Sequence, residues 1–200
     1  MLLDSQLDLL HLREWVKQII RLLVMFKNIL GVSDIEMQDL LSISKVLNEV
    51  FQYSKPEKYM RLRYALKNLI VERDPNTWNW YHRQLKETAI SRFSIDEAIF
   101  IHSVLGSYFS DTLPITIKEE RLITNQKLTY NTVNTSIWND DAKINIRRCT
   151  EGFFHLVEGK MLKEASDELC SFDVIYGCIL IGQGYDVVNS IILFIAFFYI

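Results

Sequence analysis

Ser33-Asp34-Ile35-Glu36, Ser54-Lys55-Pro56-Glu57 and Ser94-Ile95-Asp96-Glu97 share the spacing S-x-x-E, and Asp74-Pro75 stands between the last two. In that spacing a Ser hydroxyl and a Glu carboxylate satisfy backbone N–H groups that a helix start leaves without partners. Proline is tolerated in a first helical turn, where no N–H is needed. With caps at 33, 54, 74 and 94, one helix is expected to begin about every twenty residues across Ser33–Phe109. This predicts a row of antiparallel helices joined by tight turns.

The totals agree with long regular elements. Of 200 residues, 49% are hydrophobic, while only 7 are Gly and 3 are Pro. Such a chain buries a sizeable core. A net charge of −3 excludes a general polyanion binder. The charge is uneven: residues 55–92 hold nine Lys/Arg against four acids, and residues 140–200 hold five against nine. Cys149, Cys170 and Cys178 are odd in number and lack C-x-x-C spacing, so reduced thiols are expected in a cytoplasmic, intracellular setting. No basic region precedes the first apolar run, so no secretory signal is expected, and the sequon Asn134-Thr135-Ser136 then carries little meaning.

Along the chain, 2–30 reads as a helix with Leu9, Leu12, Val16, Ile19, Leu23, Phe26 and Leu30 on one stripe and Gly31 as terminator. Val32 and Met37 flank the Ser33 cap as a hydrophobic staple. Further helices are expected at about 55–73, 75–91 and 95–109, the 75–91 segment carrying Trp78, Trp80, Tyr81 and His82. Residues 110–139, rich in Thr and Asn, read as an irregular insertion or small β element. A helix is expected from about 140 to Gly159, with Lys143–Ile146 open to a strand reading, and another over Met161–Ile181, broken by Gly182-Gln183-Gly184. The expected fold is mainly α: a single-domain helical bundle or short array of about seven or eight helices. Its parts are 1–109 (regularly capped), 110–139 (insertion) and 140–200 (C-terminal helices).

Four features bear on function. The tail Val187–Ile200 carries no charge. A membrane-spanning helix needs about twenty apolar residues, so a buried closing segment is the expectation and a membrane anchor the alternative. The basic residues Lys58, Arg61, Arg63, Lys67, Arg83 and Lys86, with Trp78 and Trp80, form a candidate binding face. Cations with stacking aromatics suit single-stranded nucleic acid, but a solvated helix face beside core aromatics has the same spacing, and a protein partner is favoured.

Arg148 and His155 form the third feature. Their spacing loosely resembles the R-x(4–6)-H motif of the HEPN family, all-helical ribonucleases that work without metal. The resemblance implies an Arg that stabilises phosphate and a His that assists proton transfer. It covers these two positions, and Gly152 interrupts the helix between them. Fourth, Leu162 to Leu169 looks like the death-motif helix of the Bcl family. It has Glu158 where that motif needs an apolar residue, and an amphipathic helix explains Leu162, Ala165 and Leu169 equally well.

His11, His82, His102 and His155 share no metal-ligand spacing, and no nucleophile elbow, Walker loop or dinucleotide fingerprint occurs. No cofactor or metal is expected. The function expected is non-catalytic recognition of a protein partner, of the inhibitor, immunity or adaptor type, through the basic face or the 110–139 loop. A ribonuclease using Arg148 and His155 and a membrane-associated effector are the alternatives.

Overall fold

The structure is a computed structural model. It describes residues 17, 19–26, 31–43, 63–64, 66–72, 77–92, 94–113, 126, 144–145, 147–180, 182–185, 187–189 and 191–192. The first half of the 2–30 helix, the Ser54 box, Asp74-Pro75, Lys58, Arg61, most of 110–139 and the tail beyond Ile192 lie outside the described residues. The protein is mainly helical with one small antiparallel sheet, the class expected from the sequence. The chain divides into two compact units: Met1–Ile101 with Pro114–Thr124, and His102–Leu113 with Asn125–Ile200.

In the first unit, helical residues 19–25 bury Ile19, Leu22, Leu23, Val24 and Met25. Gly31 follows at φ +67°, and β1 (Val32–Ser33) leads into α1 (Asp34–Ser42). The capping box forms as expected: Glu36 N–H donates to Ser33 Oγ at 3.1 Å, and Ser33 N–H donates to Glu36 Oε2 at 2.8 Å. Both staple residues, Val32 and Met37, are fully buried.

Two helices expected next are corrected. The chain runs as β2 (Ile70–Glu72) and β3 (Thr77–Trp80), paired antiparallel with Ile70 opposite Trp80 and Glu72 opposite Trp78. The helix expected at 55–73 therefore ends in a strand. That expected at 75–91 is replaced by β3 and a shorter helix α2 (Arg83–Ile90). The physical reason is alternation: Trp78 and Trp80 are buried while Thr77 and Asn79 are half-buried, a period of two that aromatic residues favour. β3 is central, with β1 on its other side, Val32 opposite Trp78. The sheet thus lies between residues 32 and 80.

α3 (Ile95–Phe109) matches the expected span. Ser94 Oγ accepts from Glu97 N–H at 3.2 Å, while the Glu97 carboxylate reaches Arg21 at 2.6 Å. Its residues from His102 onward belong to the second unit. There a π-helical turn (Arg148–Gly152) runs into α4 (Phe153–Glu158), followed by α5 (Leu162–Leu169) and α6 (Phe172–Leu180). The single helix expected over 161–181 is thus two, separated at Cys170-Ser171. α6 ends in a Schellman turn: Gln183 N–H donates to Cys178 O at 2.8 Å and Gly182 N–H to Ile179 O at 3.0 Å, with Gly182 at φ +76°. The described residues of 184–192 are helical. The unit's core holds Leu105, Tyr108, Phe109, Leu156, Ala165, Leu169, Val174 and Cys178.

Candidate functional site

The basic face of the first unit is largely committed internally. Arg63 lies between the carboxylates of Asp34 and Glu72, 3.1 Å from the former, with its guanidinium over the Trp78 ring. Lys86 Nζ donates to Phe26 O at 2.7 Å, a cation on a carbonyl at the end of helical residues 19–25. Arg83 pairs with Glu87 one turn on. Lys67 is exposed, its Nζ 4.1 Å above the Tyr64 ring. The expected stacking platform is buried: Trp78 donates its indole N–H to Asp34 Oδ1 at 2.6 Å, and Trp80 to Leu23 O at 3.1 Å. Their rings are core, and among the described cations of this face Lys67 and Arg83 are exposed.

The second unit holds a buried polar system that begins with close helix packing. A Cβ at Gly159 would stand 2.5 Å from Ser103 N, and one at Gly106 2.9 Å from Leu156 N. No side chain fits there, so the glycines let the backbones of α3 and α4 approach. One turn before each glycine is a histidine, and the approach brings His102 Nδ1 to 2.8 Å from His155 Nδ1. His155 has no exposed surface, and its ring stacks on Phe109. Its Nε2 lies 3.2 Å from Glu151 Oε2, and Arg147 reaches the other oxygen of that carboxylate at 3.3 Å.

Burial lowers the His155 pKa below its ordinary value, against the pull of Glu151, and holds the ring neutral. Nε2 of His155 stands near the Glu151 carboxylate without a well-aligned hydrogen bond to it. Between the two Nδ1 atoms one ring donates its N–H and the other accepts. His102, His155, Glu151 and Arg147 thus lie in sequence at contact distance, and the outer member His102 is half-buried.

Arg148 serves a second arm. Its Nε and Nη2 meet Glu168 Oε1 and Oε2 at 2.7 and 2.9 Å, a bidentate fork. Its Nη1 donates to Gln126 O at 3.2 Å. Gln126 donates to Tyr108 Oη and accepts from Asn145, both at 2.9 Å. The two residues of the ribonuclease-like spacing therefore have different partners, Glu168 for Arg148 and Glu151 for His155. In α5, Ala165 and Leu169 are buried and Leu162 is exposed.

Sequence reasoning missed the His102–His155 pairing. The signal available was His102-x-x-x-Gly106 and His155-x-x-x-Gly159, the same spacing on two helices.

The most unusual surface lies C-terminal to this system. Phe172, Ile179 and Leu180 on α6, and Tyr185, Val188 and Ile192 after it, are all more than half exposed. Val187 packs inward against Cys149, Val174 and Cys178. Among the described residues no helix is long and apolar enough to cross a membrane, and no group of three His, Cys, Asp or Glu is placed to hold a metal.

Compared with known proteins, the chain matches no family model, no curated protein and no solved structure.

Proposed function

We propose that the protein is a non-catalytic binding module, of the inhibitor, immunity or adaptor type, whose partner is another protein. One observation carries this reading: six outward side chains on α6 and the helical stretch after it are large and apolar where a solvated helix carries polar ones. Scattered apolar residues on a surface are ordinary, but six at helical spacing on consecutive stretches form a contact surface. The committed cations and buried tryptophans of the first unit favour this C-terminal face over the basic one.

The ribonuclease reading gains no support from the geometry. A general acid or base must reach the proton it moves, and His155 is fully covered. Arg148 spends its guanidinium on Glu168.

The test is co-purification from native lysate with Leu180→Asn and Val188→Asn combined, both positions being exposed. The wild type recovers a specific protein that the variant loses, with unchanged thermal unfolding. A wild type that recovers no specific protein, or a variant that keeps it, contradicts the reading.

A further inference from the structure

The exposed apolar face sits in a stretch without positive charge. From Glu164 to Ile200 the sequence contains no Lys, Arg or His, but five acids: Glu164, Asp167, Glu168, Asp173 and Asp186. Arg148 neutralises Glu168, whereas Asp167 and Asp173 are exposed and Glu164 is half-buried. Asp173 lies in the first turn of α6, next to exposed Phe172.

The apolar positions run at helical spacing. Phe172, Ile179 and Leu180 recur at i, i+7 and i+8, and Tyr185, Val188 and Ile192 at i, i+3 and i+7. The second stretch starts against the first: a Cβ on Gly184, the residue before Tyr185, would stand 3.4 Å from Ile179 Cγ1. An apolar surface of this form suits an amphipathic helix laid across it. Exposed Asp173 beside Phe172 sets the partner's charge, attracting Lys and Arg and repelling acids.

We infer that this face docks a basic amphipathic helix of a protein partner, with apolar residues seated on Ile179, Leu180 and Val188 and Lys or Arg near Asp173. The inference rests on the protein-binding reading above and names the partner's chemistry. A bilayer surface fits less well. Helices that lie on membranes carry Lys and Arg on their polar face, and an anionic leaflet repels a stretch that has none.

The experiment uses the full-length protein and three probes: a labelled amphipathic helix of Leu and Lys, its Leu/Glu counterpart, and phosphatidylserine-containing vesicles. The Leu/Lys helix is expected to bind at least about tenfold more tightly than the Leu/Glu helix, with the preference shrinking as salt rises. Asp173→Asn narrows that preference, Leu180→Asn weakens binding of the Leu/Lys helix, and the vesicles do not bind. Equal binding of the two helices, or vesicle binding instead, overturns the basic-helix inference while leaving a protein-binding face standing. Absence of binding by either helix overturns it as well. Leu/Lys binding unchanged by Leu180→Asn overturns both the inference and the assignment of the face.

Discussion

His102 and His155 meet at 2.8 Å between their Nδ1 atoms, and the inner ring is fully buried. The contact joins α3 to α4 and requires at least one neutral ring, since two imidazolium ions at that distance repel. The arrangement makes the second unit sensitive to acid.

The sign follows from the direction of the His155 shift. Its folded pKa lies below the ordinary value of 6.5, so below that pH the unfolded chain binds a proton that the folded chain refuses. Stability is full above 6.5 and falls as pH drops below it, with a slope of at most about 1.4 kcal/mol per pH unit for this one group. Urea unfolding across that range measures it. His155→Gln, which keeps a polar side chain and removes the titration, flattens the slope; an unchanged slope contradicts the assignment.

The Arg148–Glu168 fork is a structural pair on this account. Removing one partner leaves a largely buried charge uncompensated, so Glu168→Leu and Arg148→Met each cost about 3 kcal/mol alone. The double variant, with Arg148→Met and Glu168→Leu, recovers most of that loss. A double-mutant cycle by urea unfolding reads the coupling. Losses that simply add would contradict the pairing.

Gly159→Ala tests the close approach of α3 and α4. The added Cβ meets Ser103 backbone at 2.5 Å, with no flexible side chain to move aside. The expected loss is about 2 kcal/mol or more, read as a lower urea midpoint. An equal or higher midpoint would contradict the packing.

The three thiols should separate by reactivity. Cys170 is exposed, whereas Cys149 and Cys178 are buried. Hydrogen bonding to Cys178 and burial push the Cys149 thiol far up. A thiol reagent at neutral pH labels Cys170 rapidly, and the other two only with unfolding. Fast labelling of Cys149 in the folded protein would contradict this core.

What the sequence revealed was local. The Ser33 box and the span of α3 are legible because a cap and its helix occupy neighbouring residues. β2 and β3 were hidden because Trp78, Tyr81, His82 and Leu85 also fit a helical spacing, and strand pairing is a tertiary fact. The break at Cys170-Ser171 carries neither Gly nor Pro. The polar system joins residues far apart in sequence, such as His102 with His155 and Arg148 with Glu168. The closing tail Val187–Ile200 was read as buried; of its described residues Val187 packs inward, while Val188 and Ile192 are more than half exposed. Hydropathy alone does not distinguish an inner helix from one awaiting a partner.

The central claim is that recognition uses the C-terminal apolar face. A photo-crosslinking residue placed at Leu180, and separately at Arg83 on the basic face, tests it in native lysate. The account predicts one crosslinked protein from position 180, joined through a Lys- or Arg-rich helical segment, and none from position 83. Crosslinking from position 83 with none from position 180 would contradict it.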